Sequence, residues 1–188
     1  MESTKKYEDY AYVLDYLPRG RVGSERAPFK TEPIIQLIGE AYLTLLEASV
    51  RVDSSFELHE RVYVGKDRSR DKITHVIGRV HYDDLTSAAR SELPLILENI
   101  VTSHEERFIG FFNVARAITP RMHALELLPG IGKKYMWKIL EEREKKPFAS
   151  FKDLQERTNI PDPVKKVVKR IQEELSGESK YKMFIRQS

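Results

Sequence analysis

The sequence predicts an α+β chain of two domains, a small antiparallel β-barrel followed by an all-helical domain, and three observations predict it. Residues 1–82 hold five β-branched or aromatic runs of strand length, separated by polar, turn-forming pieces. After Asp84 the period becomes helical: Phe108, Phe111, Phe112, Ala115 and Ile118 recur at the spacing of one apolar helix face. Charge shifts along the chain as well. Residues 1–120 carry 16 basic and 19 acidic side chains, residues 121–188 carry 16 and 10. A net charge of only +3 is therefore concentrated as a basic excess in the C-terminal third, which is the part suited to a polyanion.

The predicted strands are 10–17, 34–38, 42–52, 61–65 and 73–82. In the first, Tyr10, Tyr12, Leu14 and Tyr16 share one face and Ala11, Val13 and Leu17 the other, so neither face is plainly polar and both should be covered. Helices are predicted over 86–90, 93–103 and 105–118, with Pro94 opening its own helix because a proline inside a helix removes a hydrogen bond. Thr119 and Pro120 read as an N-cap and a first helical residue, starting a helix toward Leu128. The predicted boundaries are 1–84 for the barrel, 85–119 for a helical connector, 120–176 for the helical domain and 177–188 for a basic tail. That tail is either loose or a late strand on a sheet edge.

Composition excludes several classes of function. The chain has no cysteine and four methionines, and 32% of its residues are charged, a profile of a reducing compartment. No run approaches the roughly 18–20 apolar residues of a membrane span, and the polar, acidic start does not read as a signal peptide. The expectation is a cytoplasmic protein without a membrane partner. His59, His75, His81, His104 and His123 are scattered without metal-ligand spacing, and no phosphate-binding Walker loop is present. Asp83 and Asp84 read as a turn that ends a strand and caps a helix. No catalytic residue, metal or cofactor is predicted.

One segment carries specific chemistry: Leu128-Pro129-Gly130-Ile131-Gly132-Lys133-Lys134. Leu125 and Leu128 close a short helix, the two glycines make a tight turn, and 133–143 forms the next helix with Met136, Ile139 and Leu140 inward. Glycines one residue apart permit unusual backbone geometry and leave no Cβ in the way of a phosphate. The amides of the turn and of the new helix's first residues have no partner within the helix, and the helix dipole adds positive potential there. Lys133 and Lys134 reinforce that potential, Lys138 extends the basic surface, and Ile131 tucks inward to pin the hairpin.

These residues resemble the helix-hairpin-helix motif of non-sequence-specific DNA- and RNA-binding proteins, over 125–140, with Met136 standing where that motif usually has alanine. Residues 147–157 and 164–175 resemble the second half of a tandem helix-hairpin-helix domain. Its turn, Ile160-Pro161-Asp162-Pro163, has no glycine; Asp162 repels phosphate and suits an N-cap before Pro163. The following helix stays basic through Lys165, Lys166, Lys169 and Arg170.

If the barrel is OB-like, its nucleic-acid surface lies on strands two and three and in the loops joining strands one to two and four to five. Loop 18–31 holds Arg19, Arg21, Arg26 and Lys30; loop 65–72 holds Lys66, Arg68 and Arg70. Tyr10, Tyr12 and Tyr42 are candidate stacking residues. With its opening Tyr10-Ala11-Tyr12-Val13-Leu14-Asp15-Tyr16-Leu17-Pro18-Arg19-Gly20, the whole chain resembles DUF655, an archaeal family of predicted RNA-binding proteins. The resemblance implies an OB-like domain joined to helix-hairpin-helix units, and a preference for RNA over DNA. The expectation is a non-catalytic nucleic-acid-binding protein that grips phosphate through the 130–134 hairpin, Lys165, Lys166 and the two loops. The rival readings are a helix-hairpin-helix DNA-repair enzyme that only docks through the hairpin, and a dimerisation or interaction module using the Phe-rich helix. Strandedness, base preference and oligomeric state stay open, since backbone contacts carry no base information.

Overall fold

Alternating apolar residues in the first 80 positions build a sheet with two different faces. In the computed structural model, which describes residues 7–21 and 32–185, the strands are β1 (Tyr10–Leu17), β2 (Ile34–Gly39), β3 (Leu45–Val50), β4 (Arg61–Tyr63) and β5 (Ile73–Arg79). All pairs are antiparallel, in the order β4-β1-β2-β3-β5. One face buries Ala11, Val13, Ile35, Leu37, Leu46 and Ala48 as its core. The other carries the buried polar pair Gln36 and Glu47, and here the chain after β5 is tied down: the Thr86 amide donates to Gln36 Oε1 at 2.9 Å and the Thr86 hydroxyl to Asp15 Oδ2 at 2.6 Å. Both faces of β1 are covered, with Ala11 to Leu14 consecutively buried. Irregularities between Val13 and Asp15, and in β3 against β5, bend the strands. The sheet curls into a half-barrel. It does not close: β4 and β5 run in the same direction and stay unpaired at opposite edges.

The chain divides into two compact units, 1–96 with 174–188, and 97–173. Predicted loop residues Arg26 and Lys30 lie outside the described residues, as does the end of the basic tail. What is described of that tail contains no strand. Instead the Glu174 carboxylate accepts the amides of Met183, Phe184 and Ile185 at 2.9–3.1 Å.

Three predicted elements differ. Residues 86–90 and 93–103 are one helix, α1 (Ser87–Ser103), with Pro94 inside it. The proline costs about 3 kcal/mol; burying Leu93, Ile96 and Leu97 completely, at about 1.5–3 kcal/mol each, outweighs that. The second helix, α2 (Glu105–Val114), stops short of Ile118, where Arg143 draws the carbonyls of Phe112 and Ala115 to 3.1 and 2.8 Å. Thr119 and Pro120 start no helix. They form the turn between two short strands, β6 (Ala117–Thr119) and β7 (Met122–His123), with the Arg121 amide donating to Thr119 Oγ1 at 3.3 Å. A residue before proline prefers extended geometry, and proline suits the second position of a turn.

Residues 124–127 then make a single 3-10 turn (Ala124–Leu127) rather than a short α-helix, followed by α3 (Lys133–Lys145), α4 (Phe151–Thr158) and α5 (Pro163–Leu175). The Phe-rich helix faces inward: Phe108 and Phe112 are fully buried, and Phe112 meets Phe151 edge-on at 6.3 Å. Met136 is buried as well. Arg157 joins α3 to α4, donating to the carbonyls of Glu142 and Lys146 at 2.5 and 2.7 Å.

Candidate nucleic-acid interface

The glycine turn is held from both sides. Before it, the His123 ring accepts the Leu125 amide at 3.1 Å, and the Glu126 carboxylate accepts the His123 amide at 2.9 Å. Desolvation by burial, then the positive charge of Arg143, holds His123 below the ordinary histidine value, which favours the neutral acceptor. Leu125, Leu128 and Ile131 are buried beneath the turn, so Ile131 pins it as the spacing predicts. From α5, Arg170 donates to the Leu127 carbonyl at 3.2 Å and Lys166 Nζ to the Pro129 carbonyl at 3.3 Å.

Its two glycines serve different ends. Gly130 has φ +75°, and a Cβ there would lie 2.7 Å from Lys166 Nζ. The left-handed geometry favours glycine, while the lysine, the free end of a flexible side chain, could shift. Gly132 has φ −93° and ψ −171°, which any residue adopts, and no atom lies within 4 Å of the place its Cβ would take. Nothing among the described residues requires a glycine at 132. As the N-cap of α3 it makes no side-chain cap, so the first amides of that helix keep no acceptor of the kind Ser or Asp supplies. The turn thus carries the Lys166 ammonium on its Pro129 carbonyl and leads into a helix whose second residue, Lys134, is exposed and has no ion-pair partner among the described residues.

Other predicted contacts are already engaged. Lys133 pairs with Glu126 at 2.9 Å, and Lys138 with Glu142 at 3.0 Å; the lysines around Glu142, Lys145 before Lys138, hold its carboxyl down at about 2. Lys165 is exposed on α5. In the second turn Pro163 begins α5, but Asp162 stands at φ 45° rather than in the extended geometry of an N-cap.

On the sheet unit, Arg19 is exposed, whereas Arg21 is bound to the buried Glu47 at 2.6 Å. Two cations of loop 65–72 lie on tyrosines. Lys66 Nζ lies 3.9 Å from the Tyr7 ring centroid, Arg68 lies 4.2 Å from that of Tyr63 and donates to the Tyr10 hydroxyl at 2.6 Å. Arg70 donates through Nε to the Gly65 and Val64 carbonyls at 2.9 and 3.2 Å. Tyr12 is buried with its hydroxyl on Glu40 at 2.9 Å, so it packs rather than offering a face. Sequence reasoning missed Tyr7, Arg51 and Arg79, which join this surface only through the folding of the sheet. Among the described residues no group of three or more His, Asp or Glu is placed to hold a metal ion, and no helix is long and apolar enough to cross a membrane.

These features define an α+β protein of a curled five-stranded sheet and five helices, with basic and aromatic side chains brought together at loop 65–72. The chain belongs to DUF655, described as a protein of unknown function, which it matches over residues 7–186. It is 48% identical over 182 residues to the uncharacterized protein MJ0038 of Methanocaldococcus jannaschii, covering 96% of this chain and 80% of that one. Its fold matches the crystal structure of Af1531 from Archaeoglobus fulgidus, also of DUF655, with a TM-score of 0.85 and 46% identity, covering 95% of this chain and all of that one.

Proposed function

We propose that this protein is a cytoplasmic, non-catalytic nucleic-acid-binding protein, with RNA ahead of DNA. Its 130–134 segment works as a helix-hairpin-helix turn on a backbone phosphate, and the OB-like sheet unit adds its basic loops. One observation carries the reading: Gly132 is a glycine that neither the backbone conformation nor any neighbouring atom demands. It leaves open amides at the start of a 13-residue helix, where the dipole favours an anion. Lys166 Nζ is held on the Pro129 carbonyl of the same turn, and Lys134 is the second residue of that helix. An external phosphate is the ligand that uses all three. Because amides and ammonium groups read backbone only, binding is expected to be indifferent to sequence and steeply dependent on salt.

The test is binding of the wild type and of a Gly130→Asp/Lys133→Ala/Lys134→Ala variant, both shown to be folded, to single- and double-stranded RNA and DNA across roughly 50–200 mM salt. Salt-dependent binding that the variant loses is the expected result. No binding of the wild type to any of the four overturns the reading.

A further inference from the structure

The sheet unit contains a cavity of about 240 Å³ between the N-terminal segment and the ends of β3 and β5. Its floor is apolar, from Leu46, Val64 and Val76, and its rim carries Lys66, Arg70 and Arg79. None of the three cations forms an ion pair among the described residues. Arg70 is fixed through Nε on two backbone carbonyls, which aims a held guanidinium rather than a loose one. Arg79 is exposed. The one lining carboxylate, Glu8, is buried and spends its oxygens on the amides of Ala41, Tyr42 and Thr44 at 2.9–3.2 Å. Tyr7 forms a wall, half-exposed, with the Lys66 ammonium over its ring. At Gly78 nothing lies within 4 Å of the place a Cβ would occupy, so the rim is open beside Arg79.

We propose that this cavity binds a single nucleotide, its base on the apolar floor against Tyr7 and its phosphate on Lys66, Arg70 and Arg79. Size and chemistry both select this class of ligand. At about 240 Å³ the space falls below the ~300–1,000 Å³ clefts that bury drug-sized molecules, so it admits one ring system. An aromatic wall beside an apolar floor accepts the face of any base, and a cationic rim accepts the phosphate attached to it. Lys66 and Arg70 also line an adjoining groove with Arg51 and Arg68, which gives a strand's next phosphates a path. The proposal rests on the nucleic-acid reading of the chain and sharpens it: a base reaches this cavity only when unpaired, so the sheet unit selects single-stranded segments or free nucleotides.

The experiment uses the full chain with Tyr7→Ala, Tyr7→Phe, Lys66→Ala/Arg79→Ala and, separately, Gly130→Asp, each checked for folding. Probes are nucleoside monophosphates, short single-stranded oligoribonucleotides and a blunt duplex. Loss of one stacking residue should weaken single-strand binding about 5–150-fold in Tyr7→Ala, with Tyr7→Phe close to wild type and duplex binding unchanged. The double variant should lower the slope of log affinity against log salt by about 0.7 for each phosphate contact removed. Binding of monophosphates alone, lost in Tyr7→Ala, would support the cavity and identify free nucleotide as its source while removing the strand-binding reading. If Tyr7→Ala and the double variant bind single strands and monophosphates like wild type while Gly130→Asp loses its binding, the cavity proposal fails and the hairpin reading stands. No binding of any probe by the wild type overturns both.

Discussion

The turns leading into α3 and α5 solve the same chain reversal with different residues. The second does it without glycine: Asn159 at φ 57° and Asp162 at φ 45° take the left-handed positions, which their short polar side chains tolerate better than most. The first uses Gly130 and Gly132. Reversal alone therefore does not explain the glycines. Gly130 answers to its left-handed backbone at φ +75°, and Gly132 answers to nothing among the described residues. The comparison separates a turn whose left-handed positions are filled without glycine from one that carries a glycine its backbone does not call for.

Exchanging these properties breaks the comparison most sharply at Gly130. Gly130→Asp should cost no more than about 1 kcal/mol, since aspartate tolerates left-handed geometry better than most side chains, read by urea unfolding. It should also abolish salt-dependent binding, since its carboxylate captures Lys166. Asn159→Gly, its counterpart in the second turn, should leave binding untouched.

Next in size are the lysines beside the turn. Lys134→Ala and Lys166→Ala should each weaken duplex binding at every sequence alike and lower the salt slope by about 0.9, measured by titration at several salt concentrations. A variant that weakens binding without changing the slope would show that the lysine touches no phosphate.

A smaller effect concerns pH. His123 is held below the ordinary value of 6.5 by burial first and then by Arg143, so the folded chain binds this proton less readily than the unfolded one. The stabilisation is therefore fully present above 6.5 and is lost as pH falls through the lowered folded value. Thermal melts should show unit 97–173 weakening over that window, and His123→Asn, which keeps an acceptor for the Leu125 amide, should flatten the dependence. The smallest effect belongs to Lys138→Ala. Its ammonium sits on Glu142 at 3.0 Å, and affinity should be unchanged within error in the same titrations.

How far the sequence could be read depended on how local each signal is. The glycine turn, its lysines and the inward Ile131 lie within seven residues, so the turn and the burial of Ile131 follow from spacing alone. Thr119 and Pro120 misled because the same dipeptide suits a helix start and a strand turn, and the choice is made by the pairing of Ala117 with His123. Pro94 misled because the burial that tolerates it comes from tertiary packing. The small antiparallel barrel was legible because the five strands are visible one by one, whereas their order, with β4 and β5 at opposite edges of a half-barrel, depends on long-range pairing. Long-range placements were out of reach for the same reason. Lys166 was named only as one of several basic residues, and its reach to Pro129, 37 residues away, became visible in the fold. Tyr7 and Arg79 line one cavity from distant parts of the chain and left no pattern to find.

The central claim, that the open N-cap at position 132 exists for an external anion, is tested most directly by Gly132→Asp. Aspartate is among the best N-caps, and the backbone there is already extended. An internal carboxylate would take the amides and the dipole that a phosphate would otherwise use. The account predicts a protein more stable by a few tenths to about 1 kcal/mol that binds nucleic acid at least about tenfold more weakly, a difference of about 1.4 kcal/mol. Equal or tighter binding by this stabilised variant would contradict it.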